Sequence, residues 1–188
     1  MGKKLADNAN RDGVAERFPD PAVHKSLEVD LALLGAYDPL LSALEWHSVQ
    51  AAKPHDAHTL SLLQTVPGIG NILSLVLLYE IHAIQRFPSV QAFISSCRLV
   101  QCANESAGKR YGTAGTKMGH AYRKWAFSEA AGLFLRGNPA GQKYRTSLEK
   151  QHGQGKALTL LAQTLGRAVS SMLKRHKAFA MHTFLHES

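Results

Sequence analysis

The chain has 188 residues, of which 45% are hydrophobic, and this excludes wholesale disorder and suits one packed domain. Lys and Arg number 22 against 14 Asp and Glu, so the formal net charge of +8 predicts a polyanionic partner, nucleic acid before an acidic membrane. Two cysteines exclude a disulfide framework and a paired zinc site, and without a secretory signal or a run of about 18 apolar residues we expect a cytoplasmic protein with no membrane partner.

The basic charge is concentrated in the second half of the chain. Met1 to Cys97 holds 7 basic and 10 acidic residues, whereas Arg98 to Lys177 holds 15 basic and 3 acidic residues. An asymmetry of this size is typical of nucleic-acid-binding regions, although a solvated basic face without a partner gives the same count. We therefore expect the second half to bind DNA.

The chain begins with a polar segment, residues 1–22, which we expect to be a flexible lead-in. Residues 23–53 form a predicted helical arm with the spacing of a possible coiled coil. A proline within it, Pro39, predicts a kink or two helices, because proline removes a backbone hydrogen bond. The apolar residues of the arm recur every three or four positions: Val23, Leu27, Leu31, Leu34, Leu41 and Leu44.

A helical domain is predicted over residues 54–177, followed by a tail over 178–188. Helix caps and breaks divide it: Asp56 can cap a helix that runs to about Val66, Ser89 a short helix through Ser96, and Asn138-Pro139 opens a later helix. Further helices are expected from Asn71 to about Ile84, from Lys117 to Leu135, and from Ala157 to about His176. Met118, Tyr122, Trp125 and Ala126 are spaced for one face of the middle helix.

The least regular segment is CANESAGKRYGTAGT, from Cys102 to Thr116. It has three glycines and little apolar content, so we expect a long ordered loop. No strand alternation is visible, and the predicted fold class is all-α: a long arm helix followed by a helical domain.

The PGIG sequence at Pro67 to Gly70 lies between two apolar segments and resembles the turn of a helix-hairpin-helix. Gly68 and Gly70 permit the backbone angles of such a turn, Ile69 would enter the core, and the first amides of the following helix favour a phosphate. These three residues are candidate DNA-backbone contacts. An ordinary packing hairpin that touches no ligand fits the short motif equally well.

Ser106, in NESAGKRYG, is a candidate nucleophile because Lys109 and Arg110 follow it and would neutralise an attacked phosphate. Most loop serines only bond to backbone, and that reading stays open for the motif alone. Lys117, Arg123 and Lys124 lie roughly on one side of a predicted helix and are candidate phosphate contacts or a solvated face. The histidine pair His182 and His186 lacks a third ligand, so no metal site is predicted.

Three segments together resemble the C-terminal half of the DEDD-type insertion-sequence transposases (the IS-one-ten family, related to the Piv invertases): ERFPDP, LLQTVPGIG and CRLVQCANESAGKRYGTAGTKMGHAYRKWAFSEAA. That family carries a PGIG hairpin and then a block of the form GLxP…SSGGKxxxGxxxKxGN…R. The resemblance spans roughly Arg17 to Lys177. Its block is matched here by Arg98-Leu99-Val100, Glu105 to Lys109, Gly112, Thr116 to His120, and Arg123.

The resemblance implies a recombinase for DNA transposition in which the serine, here Ser106, attacks a DNA phosphate and forms a phosphoserine link. It also implies a structured guide RNA, oligomers formed through a coiled-coil arm, and a RuvC-like domain whose four acidic residues hold magnesium. The first 22 residues cannot supply that acidic quartet. We therefore expect a truncated or split transposase without a cofactor of its own, Mg²⁺ being needed only with the RuvC-like domain.

Two alternatives remain on the sequence alone. One is a non-catalytic helix-hairpin-helix DNA-binding protein, with steeply salt-dependent binding and no role for Ser106. The other is a structural oligomerisation module built on the arm, without nucleic-acid affinity.

Overall fold

The computed structural model describes residues 8–106, 109–115 and 119–186, with the backbone alone described over 101–106 and 109–115. The chain divides into two compact units, the first ending at Gln50 and the second beginning at Ala51. The all-α class is confirmed for the packed part of the chain, and one short β-hairpin is added to it. The helices and strands are α1 Pro21–Gln64, α2 Asn71–Ile81, α3 Val90–Ser96, β1 Gln101–Ser106, β2 Lys109–Gly115, α4 Ala121–Phe134, α5 Pro139–His152, α6 Gln154–Arg175 and α7 Met181–His186.

In the first unit, the segment before α1 lies against the helix. Short 3₁₀ turns at Asn8–Asn10 and Ala15–Arg17 precede α1, and Val14 and Ala15 are buried. Arg11 forms an ion pair with Asp38, with Nη1 and Oδ2 2.5 Å apart. The described part of the segment expected to be a flexible lead-in is thus held by packing and by charge.

Helix α1 continues through Pro39 with helical backbone angles, so the division into two helices expected at that proline is wrong, and the kink that divides α1 lies at Asp56. The one residue of α1 with non-helical backbone angles is Asp56 (φ −161°, ψ 73°). A proline inside a helix removes a single backbone hydrogen bond, and the long helical segments on both sides of Pro39 hold it in place. The predicted cap is confirmed, because Asp56 Oδ1 accepts a hydrogen bond from the Thr59 amide at 2.8 Å.

The core of the second unit is built around α6, which packs against α3, α4 and α5. Its fully buried side chains include Leu161, Leu165 and Val169. Phe93 of α3 and Phe127 of α4 meet edge to face, with their ring centroids 6.0 Å apart. Each such side chain stabilises the fold by about 1.5–3 kcal/mol through burial. The aromatic cluster of the core therefore ties the helices of this unit together.

The face of α4 that enters the core differs from the predicted one. Tyr122 and Trp125 are exposed, and the buried side chains of the helix are Arg123, Ala126, Phe127, Ala130, Ala131 and Phe134. Alanines on the inner face let the backbone of α4 approach its neighbours closely, which leaves the large aromatic residues on the solvent side. Helix α4 also begins at Ala121, four residues later than predicted.

Helix caps and the C-terminal segment follow local sequence signals. Ser89 Oγ accepts from the Ala92 amide at 3.1 Å, and Asn138 Oδ1 accepts from the Gly141 amide at 3.1 Å. The predicted Ser89 cap and the predicted helix start at Asn138-Pro139 are both confirmed. In the tail, Phe184 of α7 is buried and contacts the Phe134 ring at 5.3 Å between centroids.

The segment expected to be a long ordered loop forms an antiparallel β-hairpin. Gln101 pairs with Gly115 and Ser106 with Lys109, with a register irregularity between Ala103 and Glu105. The hairpin was not predicted because its residues are mostly polar or small, so the apolar alternation that reveals a half-buried strand is missing. Its pairing comes from backbone hydrogen bonds.

Candidate nucleic-acid and nucleophile site

The turn between α1 and α2 is fixed by close backbone packing. Gly68 has φ +87°, and a Cβ atom placed on it would lie 2.5 Å from the backbone nitrogen of Phe134 in α4. Ile69 is 3% exposed, as expected for a core residue. Both residues therefore hold the turn in place, which leaves Gly70 and the first amides of α2 as the part of the motif open to a ligand.

The N-terminus of α2 has the chemistry of a phosphate contact. Gly70 is exposed, no side chain caps the helix there, and a Cβ on Gly70 would meet nothing within 4 Å. The first amides of a helix have no partner within the helix, and the helix dipole favours an anion beside them. This end of α2 can therefore accept a backbone phosphate without rearrangement.

The candidate nucleophile and its cations lie at the closed end of the β-hairpin. Ser106 is the last residue of β1 and lies directly opposite Lys109, the first residue of β2. Glu105 lies opposite Arg110 in the same register.

Two of the three candidate phosphate contacts predicted for the helix that follows the hairpin, Arg123 and Lys124, differ in their exposure to solvent. Lys117 lies outside the described residues. Lys124 is exposed on α4, whereas Arg123 is only 5% exposed. The expectation that Arg123 and Lys124 lie on one side of the helix is wrong, because Arg123 belongs to the buried face of α4 with Ala126 and Phe127.

Arg123 makes its contacts inside the domain. Its Nη1 donates to Ser96 Oγ at 3.0 Å, and its guanidinium carbon lies 5.5 Å from the centre of the Phe87 ring. Burial lowers the pKa of Arg123, and the neighbouring Arg86 lowers it further, but a guanidinium remains charged at neutral pH. Burial also raises the pKa of the nearby Cys97 thiol to about 11, so this cysteine is protonated and unreactive at neutral pH.

Several residues at the base of the hairpin were not found from the sequence. Ser96 and Gly119 meet there, and His120 Nδ1 lies 2.6 Å from Glu80 Oε2 at the end of α2. These partners are separated by 23 and 40 positions in the chain, and no periodic or motif signal joins them. Gly119, with φ +116°, is the one residue whose type hinted at a special backbone.

Across residues 8–106, 109–115 and 119–186, no three His, Cys, Asp or Glu side chains are grouped so that they could hold a metal ion. No helix in this described part of the chain has the length and apolarity to cross a membrane.

Comparison with known proteins finds a family similarity in the part of the chain that contains this site. No curated protein matches the sequence. The similar segment, residues 60–146, includes the Gly68 turn, the β-hairpin and α4, whereas most of α1 and all of α6 lie outside it. Residues 60–146 are similar to the Transposase IS116/IS110/IS902 family.

Proposed function

We propose that this chain supplies the serine of a DEDD-type, insertion-sequence transposase, and that Ser106 attacks a DNA phosphate during recombination. The observation that supports this most is the register of the β-hairpin, which puts Ser106 directly opposite Lys109 at the closed end. A serine paired in register with a lysine, at the closed end of a hairpin, combines a nucleophile with a cation that can neutralise a phosphate. The family match over residues 60–146 includes this whole segment.

The proposed reaction is a transesterification. The Ser106 oxygen forms a bond to phosphorus and gives its proton to solvent, while the bond from phosphorus to one deoxyribose oxygen breaks and that oxygen takes up a proton. The number of phosphodiester bonds is unchanged, so the strand can be resealed by the reverse reaction. Lys109 and Arg110 would stabilise the negative charge that builds on the phosphate oxygens in the transition state.

Binding to the DNA backbone is proposed for a second set of groups. Gly70 and the first amides of α2 offer neutral donors with a favourable dipole, and exposed Lys124 offers a cation. Gly68 and Ile69 would hold these amides in place from behind. Contacts of this kind fix the position of a duplex without reading its bases, so base selection falls to another component. The resemblance supplies one, a structured guide RNA.

We propose that the arm joins two copies of this chain. Its exposed apolar residues follow a spacing of three and four along α1, and they include Leu33, Leu34, Tyr37, Leu40, Leu41 and Leu44. A solvent-facing stripe of this kind is typical of helices that pair in a coiled coil. A second copy offers the same stripe, so two arms can cover each other.

The test of the nucleophile is Ser106→Ala, compared with Thr113→Ala as a hydroxyl control in the same hairpin. Both variants are assayed with the RuvC-like domain of a related transposase and Mg²⁺ added, and covalent protein–DNA adducts are counted after denaturation. We expect Ser106→Ala to abolish adducts while its DNA affinity stays close to that of the parent. Thr113→Ala is expected to form adducts normally. An adduct that persists in Ser106→Ala would overturn the assignment.

The same assay separates the proposal from a non-catalytic DNA-binding role. A binding protein alone would show sequence-tolerant, salt-dependent affinity and no adduct in the parent chain. The structural-module alternative would show no DNA binding even at low salt. Loss of affinity on changing Lys109 and Arg110 to Gln would exclude that alternative.

A further inference from the structure

The two ends of the β-hairpin are tied to each other at its base. The His120 amide donates to the Ser96 carbonyl at 2.9 Å, and Arg98 Nε donates to the Gly119 carbonyl at 2.7 Å. A Cβ on Gly119 would lie 2.7 Å from that Ser96 oxygen, so only glycine permits this approach. The chain that enters the hairpin and the chain that leaves it therefore meet at one point.

Arg123 secures this meeting point from inside the domain. Its guanidinium is buried, and Nη1 donates to the hydroxyl of Ser96 at 3.0 Å. That hydroxyl in turn donates to the Phe93 carbonyl at 2.6 Å, which orients its lone pairs toward Arg123. Ser96 is thus held through its side chain by Arg123 while its carbonyl holds the exit of the hairpin.

A second contact ties the same base to the turn motif. His120, where the hairpin leads into α4, pairs with Glu80 near the end of α2, with Nδ1 and Oε2 2.6 Å apart. The other end of α2 is capped by Gly70, where we propose that a DNA phosphate binds. The base of the hairpin and the proposed phosphate contact are therefore linked through one helix.

We propose that Arg123 is a positioning residue for Ser106 and does not itself contact DNA. This inference rests on the proposed role of Ser106. A strand of six residues is about 20 Å long, so a tilt of about 10° at the base moves the closed end by roughly 3.5 Å. A displacement of about 1 Å can already cost a hundredfold in rate, so a fixed base is needed for attack.

The neighbouring lysine gives a matched comparison. Lys124 carries the same charge one residue later, but it is exposed and lies outside this cluster. Its loss should weaken DNA binding and reduce the salt dependence by about one phosphate contact. Loss of Arg123 should leave the contacts to DNA in place and loosen the hairpin instead.

The experiment compares Arg123→Gln, Ser96→Ala and Lys124→Gln in the full chain. Hydrogen exchange is measured on peptides that cover residues 101–118 and on peptides from α4 and α6, and duplex DNA affinity is measured in parallel. We expect Arg123→Gln to raise exchange in the hairpin peptides about tenfold, with Ser96→Ala giving a smaller rise in the same peptides. Lys124→Gln should weaken DNA binding without changing that exchange.

Adduct formation at saturating DNA, with the RuvC-like domain added, completes the test. Arg123→Gln should slow it by about a hundredfold with little change in affinity, and Arg123→Lys, which lacks the planar fork, should restore it only in part. Two results would overturn the proposal: affinity lost as in Lys124→Gln with normal adduct formation, or exchange that rises equally in α4 and α6. If Ser106→Ala still forms adducts, the proposed function fails while the exchange data still decide the role of Arg123.

Discussion

The leucines of the arm and the phenylalanines of the helical core have opposite surroundings. Leu40 and Leu44 are 64% and 63% exposed, whereas Phe127 and Phe134 are completely buried. Burial in the core stabilises the fold of the single chain, and an exposed apolar stripe gains nothing until a partner covers it. The difference shows that buried hydrophobic residues stabilise the fold of the second unit, and it supports the proposal that the exposed ones of the arm serve association.

The strongest way to test the core side of this comparison is Gly68→Ala. The added Cβ would meet the backbone of Phe134 and Ala130 at 2.5 and 2.8 Å, and φ is +87°. Overpacking and a left-handed backbone each cost about 1–3 kcal/mol, so we expect a loss of about 3–5 kcal/mol in the free energy of unfolding. Urea denaturation of the full chain measures it.

Gly70→Ala is the control, two residues away in the same turn. Its φ is −87° and a Cβ there meets nothing within 4 Å, so the unfolding free energy should change by less than about 0.5 kcal/mol. Equal effects of the two substitutions would show that the approach of the turn to α4 does not stabilise the core.

Leu44→Gln tests whether the exposed apolar residues of the arm mediate self-association. If two arms cover each other, losing a buried leucine at their contact should weaken self-association by about a hundredfold, since such a side chain contributes about 1.5–3 kcal/mol. Unfolding of the core unit should be unaffected. Sedimentation over a dilution series measures the association, and Ser42→Gln, on another side of the same helix, should associate like the parent. A parent chain that stays monomeric at high concentration would contradict the comparison.

The sequence predicts well those features that depend on residues close together in the chain. Ser89, Asn138 and Asp56 cap their helices because a side-chain oxygen bonds an amide three residues away, and such chemistry is readable locally. The proximity of Ser106 and Lys109 is local in the same way. In all four cases the two partners are three positions apart in the chain.

The sequence does not predict which face of a helix is buried, because that depends on the helices packed against it. Tyr122 and Trp125 have the spacing of a buried stripe, yet the alanines of α4 enter the core instead. Arg123 resembles a surface cation until Ser96 and Phe87, both distant in sequence, are found around it. The hairpin base joins residues more than 20 positions apart, and tertiary packing alone brings them together.

The smallest expected effect concerns Asp56, which begins the last turns of α1 inside the core unit. Burial raises its pKa, but hydrogen bonds from the Thr59 hydroxyl and amide lower it more, and His58 and His176 add to this, so the pKa lies below its ordinary value. A carboxyl with a lowered folded-state pKa contributes stability above its unfolded pKa, and this is lost as the pH falls through the folded value. Asp56→Ala should therefore cost about 1 kcal/mol at neutral pH and less in acid.

Asp56→Asn separates the contribution of the hydrogen bond at this cap from the contribution of the carboxylate charge. Asparagine keeps the acceptor for the Thr59 amide but carries no charge, so it should retain most of the stability at pH 7 without the loss in acid. Urea unfolding at both pH values distinguishes the variants. If Asn destabilises as much as Ala at neutral pH, then the charge of Asp56 beside His58 and His176 stabilises this helix, and the cap does not. The stability of the helix that begins at Asp56 would then depend on charge. The proposed contact between two arms would not, because the side chains of its stripe are uncharged.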